Sequence, residues 1–475
     1  MFVSMSYQFR KRASFYDASS WPRRLGYGAL FMLLILSAIF YQERTLFIDI
    51  AYQTFLMINE GTIQVQVYRF GAAIVQALPL LAIKMDMPLR VVLWLYSVSF
   101  PLVYLLFYWL IVRVLRNDYL GLSLVFLFTL ITFDGFYWAT SELQQGLAFL
   151  LVTFAFIRRY QHLDRWGHWV FLVPASVAIV FYHPLVFIPF YFLWGYFWLS
   201  ERSTRHWRYI AIAVLMAVAL VVKSKVGANW YDNSKYELFQ QHWSDWGSKL
   251  WAMPANFKFL KNCLYYWYGF PILFFLMIGH YLWHRQWWRP LWITGFSVAY
   301  VLLVNLSSPD APYQFYAEVN YMPLVIFVAV PFLHDLAPRL SPRIWHGVLL
   351  AFLLLRLGTI TLHHQPYTQR LDWLRSQLAE GQAQHNTNRY LLPASPELTE
   401  RLKMTWGVAY ETLLLSSLDG PEHTQTLVIL PDPARYEKQL TENHWFISEL
   451  IEYPVAEIDG RYYQLGVGKY VWLRE

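Results

Sequence analysis

The sequence predicts an all-α polytopic membrane protein of about 11 transmembrane helices, with a small extracytoplasmic α/β domain at its C-terminus. Hydrophobic residues make up 57% and aromatic residues 19% of the 475 residues. The apolar residues form runs long enough to cross a bilayer core. A soluble helical bundle would show polar residues at the helical period, and runs such as FMLLILSAIF lack them.

Basic clusters at alternate ends of the apolar runs predict the orientation, because Lys and Arg concentrate in cytoplasmic loops. With the N-terminus in the cytoplasm, one topology satisfies every cluster and places the tail outside. We therefore expect a protein of the bacterial inner (plasma) membrane whose C-terminal domain is periplasmic or extracellular. The clusters are Arg10/Lys11/Arg12, Arg23/Arg24, Arg113/Arg116, Arg158/Arg159/Arg165, Arg202/Arg205/Arg208, Arg285/Arg289 and Arg339/Arg343.

The chain divides into a cytoplasmic segment (1–24), a transmembrane domain (25–361) and an extracytoplasmic α/β domain (362–475). No A-x-A site follows the first apolar run, so we expect an uncleaved signal anchor. The predicted spans are 25–41, 91–112, 118–133, 143–157, 168–182, 185–199, 209–223, 265–282, 290–304, 320–333 and 344–361.

Two long segments are expected outside. Residues 42–90 hold two candidate interfacial helices, FIDIAYQTFLMI and VYRFGAAIVQALPLLAIK, separated by a breaker at Asn59–Gly61. Residues 224–264 are rich in Trp, Lys and Asp, and the Trp residues suit an interface. In the tail we predict a helix YTQRLDWLRSQLAEG ended by Gly381, a helix TWGVAYETLLLSSL, a buried strand TQTLVILPD and a terminal hairpin GRYYQLGVGKYVWLRE.

The net charge of +7 divides unevenly, because the tail is near −5 and the remainder near +12. Most of the basic excess is explained by topology, which argues against a nucleic-acid partner. The single cysteine, Cys263, excludes an intramolecular disulfide, so the tail domain must be held by its own core.

Asp49 is the first candidate functional residue. It follows the first span, where an unpaired carboxylate near hydrocarbon is expensive. The alternative is a solvated acid on the polar face of an interfacial helix, as Glu43 and Glu60 in the same loop illustrate.

The residues around Asp49 resemble the GT-C superfamily of membrane glycosyltransferases. The match consists of Asp49 and Tyr52 in a D-x-x-Y helix, Gly61 in the turn, Arg69, and Pro79 in the second helix. The resemblance implies transfer of a sugar from a polyprenyl-phosphate carrier at the outer face, to a glycan, lipid or protein acceptor. Many members carry a second acid directly after the first, where this chain has Ile50.

Asp134 and Glu142 bracket the second outer loop, where the superfamily often places another acid that binds sugar or acceptor. Glu142 could instead belong to a helix N-cap with Ser141. Gln144 and Gln145 then open the next span, and we include Gln145 among the substrate-binding candidates. With the later FYHPLVFIPF, this segment also resembles EpsG-like and Wzy-type polysaccharide polymerases, although Gln144-Gln145 stand where those have a basic residue.

Further candidates come from the outer ends of other spans. His183 beside Pro184 could contact sugar or phosphate, or could satisfy carbonyls freed by the prolines. The cations Arg69, Lys225 and Arg356 would bind the carrier phosphate, or would snorkel to headgroups. No H-x-x-H or H-E-x-x-H motif occurs, so we expect neither a metal nor another cofactor.

The sequence therefore predicts a glycosyltransferase in which Asp49 is the general base and membrane lipids surround the carrier tail. A polymerase with a lipid-linked acceptor is the nearer alternative. A transporter or flippase of lipid-linked sugars is the alternative from another class. It would place ionisable residues along a midplane pathway, whereas those in the predicted spans lie almost entirely at the ends.

Overall fold

The computed structural model describes residues 20–139, 142–244, 247, 252–310 and 313–473. The predicted basic cluster at residues 10–12 lies outside these ranges, as does Ser141. The described part is predominantly helical, with small sheets close to the C-terminus.

The first half of the chain forms helices of very unequal length. Helix α3 ends at Gly61, whose φ of 63° is the left-handed conformation that glycine adopts at helix ends. This confirms the breaker at Asn59–Gly61. The helices are α1 (Trp21–Ile39), α2 (Tyr41–Thr45), α3 (Ile48–Glu60), α4 (Ala72–Lys84), α5 (Leu89–Trp109), α6 (Asp118–Leu127), α7 (Glu142–Arg159), α8 (Trp166–Tyr182), α9 (Phe187–Ser200) and α10 (Trp207–Val226).

The second half continues the bundle and leads into the C-terminal domain. Helix α17 begins where the Ser341 hydroxyl accepts a hydrogen bond from the Ile344 backbone, with Pro342 in the first turn. The helices are α11 (Trp230–Ser244), α12 (Pro254–Tyr265), α13 (Gly269–Trp283), α14 (Trp288–Ser307), α15 (Gln314–Tyr321), α16 (Pro323–Pro331), α17 (Pro342–Leu362) and α18 (Gln365–Gln384).

Several helices are apolar and long enough to cross a membrane. Five qualify by length and composition among the described residues, or up to seven if two bent pairs each form one span. The five are Trp21–Ile39, Leu89–Val114, Trp207–Val226, Trp288–Ser307 and Pro342–Gln384. The 11 predicted spans are not confirmed, because 118–133, 168–182 and 185–199 correspond to apolar helices of only 10–17 residues and 143–157 corresponds to α7, which is not among the candidate spans.

The predicted span 118–133 shows why an apolar run need not be one helix. Helix α6 ends at Leu127, backbone hydrogen bonds to Val125 and Phe126 continue only as far as Leu130, and the buried backbone of residues 131–133 is not helical. Arg356 of α17 donates to the carbonyl oxygens of Thr129 (2.7 Å) and Thr132 (3.2 Å). A buried guanidinium thus satisfies acceptors that a continued helix would have satisfied.

The C-terminal domain is built on a three-stranded parallel sheet in the order β2-β1-β5. The strands are β1 (Arg389–Pro393), β2 (Thr426–Leu430), β3 (Trp445–Ile447), β4 (Glu452–Pro454) and β5 (Val471–Trp472), and the helices are α19 (Pro396–Leu402), α20 (Val408–Ser416) and α21 (Glu437–Glu442). Fully buried β2 confirms the predicted strand, and α20 confirms the predicted helix.

Two predictions for this domain were wrong. The terminal residues do not form a hairpin, because β5 pairs in parallel with β1. Gly381 does not end its helix, since α18 continues to Gln384, and a side chain at Gly381 would collide with the Tyr390 ring. Close packing on the sheet therefore explains this glycine better than helix termination does.

The domain packs directly on the rest of the protein. Helix α20 lies against α3, and most residues of α3 are buried. Arg370 of α18 pairs with Glu411 of α20 at 2.7 Å. Both predicted helices of residues 42–90 exist, but α3 is covered by protein on the side that meets α20, and its place at a membrane interface stays a prediction.

Candidate active site

Asp49 lies in the first turn of α3 and is only partly exposed. The Trp138 indole nitrogen donates a hydrogen bond of 2.7 Å to its Oδ2. Burial raises the pKa of Asp49, while the Trp138 hydrogen bond and the positive charge of Arg69 oppose the rise. The carboxylate is therefore a desolvated acceptor that is oriented by one fixed donor.

Glu142 begins α7 and belongs to the same electrostatic environment. Its Oε2 lies 3.5 Å from Nη1 of Arg69, and its side chain is buried. Burial raises the pKa of Glu142 to about 7; the charge of Arg69 opposes the rise, and that of Asp49 adds to it. Two acids expected from the sequence, Asp49 and Glu142, thus share one cation.

Arg69 connects these acids to the first turn of α11. Its Nη2 donates to Oδ1 of Asp232 at 3.1 Å, and its guanidinium lies 5.2 Å from the centre of the Tyr231 ring. Asp232 is also 3.7 Å from Nζ of Lys223. We call Asp49, Trp138, Glu142, Arg69 and Asp232 the Asp49 cluster.

A cavity of about 310 Å³ adjoins this cluster and we call it the main cavity. Arg69 and His183 line it from one side. Helix α11 contributes Tyr231 and Lys235, and α15 contributes Tyr316. The walls thus combine cationic groups, aromatic rings and aliphatic side chains, which is the composition expected of a ligand pocket.

Aromatic contacts join the main cavity to Asp49. The hydroxyl groups of Tyr231 and Tyr316 are hydrogen-bonded at 2.8 Å. The Tyr316 ring packs against the Trp138 ring with centroids 5.7 Å apart, and Trp138 holds Asp49. Asp49 and Glu142 do not themselves line the main cavity; Tyr316 and Trp138 connect its wall to the Asp49 carboxylate.

Lys235 is the cation of the main cavity that lacks a carboxylate partner among the described residues. Its Nζ lies 5.7 Å from the ring centres of both Tyr231 and Tyr316. Lys235 also lines a second cavity of about 520 Å³ that shares Ser307 and Ser308 with the first. An ammonium group at the junction of two cavities is available to an anionic ligand.

His183 bonds a backbone N–H rather than the proline-freed carbonyls considered from the sequence, and its contact with sugar or phosphate stays a prediction. Its Nδ1 accepts a hydrogen bond from the Leu185 backbone at 3.2 Å, which caps the short turn that follows. Burial, with the charges of Arg69 and Lys223, lowers the pKa of His183 well below its usual value. The neutral ring then carries its proton on Nε2, so that His183 lines the cavity as a hydrogen-bond donor.

Lys225 and Gln145 are not in the lining of the main cavity. Lys225 is exposed, whereas Lys223, two residues earlier on α10, is buried and faces Asp232. The Gln145 side chain is buried, and its amide has no hydrogen-bond partner among the described residues.

Arg356 also lies outside the main cavity lining. Besides Thr129 and Thr132, it donates to the carbonyl of Tyr266 at 2.9 Å. Its guanidinium therefore contacts three backbone carbonyls from two other segments of the bundle. These backbone partners indicate that Arg356 stabilises the fold. No contact of Arg356 with the described residues supports a role in binding the carrier phosphate.

Asp134 belongs to another group of charges, next to the C-terminal domain. It lies 3.3 Å from His363 and 3.7 Å from Lys403. Buried Glu318 accepts hydrogen bonds from the backbone of Phe133 (2.9 Å) and Gly135 (2.7 Å) on either side of it. Asp134 is thus held at a junction of chain segments and does not line the main cavity.

A buried ion network at the other end of α7 had no signal in the sequence beyond its basic clusters. Arg158 pairs with Glu201, whose other oxygen lies 3.0 Å from His334. His334 contacts Asp335 at 3.1 Å, and Asp335 pairs with Arg289 at 2.7 Å. At 1.5 Å rise per residue, Glu142 and Arg158 are about 24 Å apart along the helix axis.

Three comparisons bear on family membership: no family model matches the chain, and neither a curated protein nor a solved structure does. No group of three or more His, Cys, Asp and Glu residues with metal-binding geometry occurs within the ranges that the structure describes.

Proposed function

We propose that this protein is a membrane glycosyltransferase that moves a sugar from a polyprenyl-phosphate carrier to an acceptor hydroxyl. The observation that carries this proposal is that Trp138 and Tyr316 join Asp49 to the wall of a cavity that holds Lys235, a cation without a carboxylate partner among the described residues. The resemblance of the residues around Asp49 to the GT-C superfamily supports the same conclusion.

Each part of the site has a chemical role in this proposal. Lys235 binds the carrier phosphate, and the Tyr231 and Tyr316 rings provide flat surfaces for the sugar. The acceptor oxygen attacks the anomeric carbon, the bond from that carbon to the phosphate oxygen breaks, and polyprenyl phosphate leaves. Asp49 takes the proton of the acceptor hydroxyl as general base.

Glu142, Arg69 and His183 support this reaction without a covalent role. Arg69 stabilises the ionised form of Asp49 and of Glu142. The Nε2 proton of His183 is a donor for a sugar hydroxyl or a phosphate oxygen. Asp232 fixes Arg69 from the opposite side.

We propose an orientation with the Asp49 cluster at the outer face. Arg158 and Arg289, from two of the predicted cytoplasmic clusters, meet in the ion network at the end of α7 opposite Glu142. By the positive-inside rule that end is cytoplasmic. In this arrangement α7 and three short apolar helices, α6, α8 and α9, complete the 11 spans, α4 stays outside them, and the C-terminal domain is extracytoplasmic.

The second cavity favours one alternative, a polysaccharide polymerase. It adjoins the first through Lys235, Ser307 and Ser308, and it is larger. An acceptor that is itself lipid-linked would need a second space of this kind beside the donor. The two functions differ only in the acceptor.

The test is a transfer assay with purified protein in liposomes and a panel of radiolabelled polyprenyl-phosphate sugars. Release of polyprenyl phosphate with a labelled glycan is expected, and Asp49→Asn should reduce the rate at least about 100-fold, within the range for loss of a general base. Glu60→Gln, at the exposed end of the same helix, is the control.

Lipid-linked acceptors in the panel separate the polymerase from the simple transferase. Movement of an intact lipid-linked sugar across the bilayer without cleavage would instead identify a transporter. An Asp49→Asn rate within about threefold of the parent would exclude Asp49 as the base, since a general base contributes much more.

A further inference from the structure

A carboxylate of the C-terminal domain contacts the backbone directly before Asp49. The Ile48 N–H donates a hydrogen bond of 3.0 Å to Oε1 of Glu411, which lies 363 residues further along the chain. Glu411 is completely buried. Its negative charge lies at the N-terminal end of α3, where helix N–H groups favour an anion.

The backbone at this contact is strained. Ile48 has a φ of 30°, which a β-branched residue rarely adopts. Gly407 lies against it so closely that a Cβ at Gly407 would be 2.7 Å from the Ile48 Cα. Strained backbone persists only where its surroundings hold it, and such positions cluster at functional sites.

Glu411 is itself held by Arg370. The Arg370 Nε donates to Oε2 at 2.8 Å and its Nη2 donates to Oε1 at 2.7 Å, which is a two-point ion pair. The same guanidinium lies 5.2 Å from the centre of the Phe47 ring. The C-terminal domain therefore fixes both residues that precede Asp49.

We propose that Glu411, held by Arg370, is the positioning residue through which the C-terminal domain sets the orientation of Asp49. This inference rests on the proposed function, because it assigns the domain a part in the same reaction. A displaced Ile48 would rotate the first turn of α3 and move the Asp49 carboxylate away from Trp138 and from the acceptor. Misplacement of a catalytic group by about 1 Å costs up to about 100-fold in rate.

The experiment compares Glu411→Ala with Glu411→Gln in the full-length protein. The amide oxygen of Gln still accepts from Ile48, whereas Ala leaves that N–H without its acceptor. We expect Glu411→Ala to lower kcat at least about tenfold with KM for the lipid donor within about twofold, and Glu411→Gln to recover most of kcat. Asp372→Ala, an exposed acid on the same helix as Arg370, is the control.

A second readout does not depend on turnover. A carbodiimide modifies protonated carboxyl groups, and mass spectrometry of the peptide that contains Asp49 gives the pH midpoint of its modification. Loss of the Trp138 hydrogen bond should move this midpoint to higher pH in Glu411→Ala but not in Asp372→Ala. Gly407→Ala keeps the Glu411 residue but places a Cβ 2.7 Å from the Ile48 Cα and 3.1 Å from Oε1 of Glu411, so it should disturb the same contact and move the midpoint in the same direction.

The outcomes separate the two proposals. If the parent transfers no sugar, the proposed function fails, and the modification midpoint alone then decides whether Glu411 positions Asp49. If Glu411→Ala lowers only thermal stability, with kcat per folded molecule and the Asp49 midpoint at parental values, the positioning proposal is overturned.

Discussion

The Trp138 indole nitrogen donates a 2.7 Å hydrogen bond to Oδ2 of Asp49, although 89 residues separate the two along the chain. This bond ties the second predicted outer loop to the first turn of α3. It also makes the ionisation of Asp49 dependent on a side chain that packs against the Tyr316 ring of the main cavity. Under the proposed function, these two contacts connect ligand binding at the cavity to proton transfer at Asp49.

Replacing Trp138 with Phe should shift the pH dependence of activity. A hydrogen bond to the charged carboxylate favours ionisation, so its loss raises the pKa of Asp49 further. The acidic limb of the kcat/KM profile should therefore move to higher pH, with a rate loss of about tenfold or more near neutrality. An unchanged acidic limb in Trp138→Phe would show that Asp49 is not the titrating base.

Lys235 should bind the donor phosphate. Lys235→Met keeps the aliphatic length and removes the charge, so KM for the lipid donor should rise about tenfold or more, as loss of a charge-assisted hydrogen bond implies. Lys225→Met, an exposed change that removes the same charge, should leave KM near the parental value. Equal effects of the two variants would indicate only a general attraction of the donor to basic residues.

Sequence patterns identified part of this site. Asp49, Arg69, Glu142 and His183 lie at the ends of apolar runs. An ionisable side chain so close to hydrocarbon is energetically costly, and it can therefore be recognised in the sequence as a functional candidate. The sequence could not show which of Lys223 and Lys225 faces the protein interior. Residues two positions apart on a helix point to nearly opposite sides, so the answer depends on how α10 is rotated about its axis. In the structure Lys223 faces Asp232, and Lys225 is exposed.

The rest of the site depends on contacts between distant segments. The Arg69 to Asp232 pair spans 163 residues, and the Trp138 to Asp49 bond joins separate loops. No local period or propensity encodes such a pair. The early end of α6 could not be predicted from the apolar run either. The Thr129 carbonyl after this helix accepts a hydrogen bond from Arg356, which lies 227 residues further along the chain.

The Glu142 carboxyl should make the folded protein less stable as the pH rises, whereas an acid whose pKa is lowered by folding does the opposite. Its folded pKa of about 7 is above the ordinary 4.5, so the folded state binds the proton more tightly than the unfolded state. Stability is then lost as pH rises from about 4.5 to 7, by on the order of 3 kcal/mol in total.

Glu142→Gln removes this titration. The variant should melt at a higher temperature than the parent at pH 8, and the difference should shrink towards pH 5. Thermal unfolding in detergent at both pH values measures the effect, with Glu60→Gln as the matched control. A constant difference between the two pH values would show that Glu142 does not have a raised pKa.

Replacing Arg356 with Leu should disrupt folding more than donor binding. The sequence alone suggested that this cation binds the carrier phosphate, but its guanidinium contacts the carbonyl oxygens of Thr129, Thr132 and Tyr266. Leucine would leave these buried acceptors without donors, at a cost on the order of 3 kcal/mol or more. Thermal unfolding should therefore show a clear loss of stability, while Arg343→Leu, an exposed change on the same helix, should show little. The KM for the lipid donor of the folded Arg356→Leu fraction should stay near the parental value, and a rise of about tenfold without loss of stability would return Arg356 to the phosphate site.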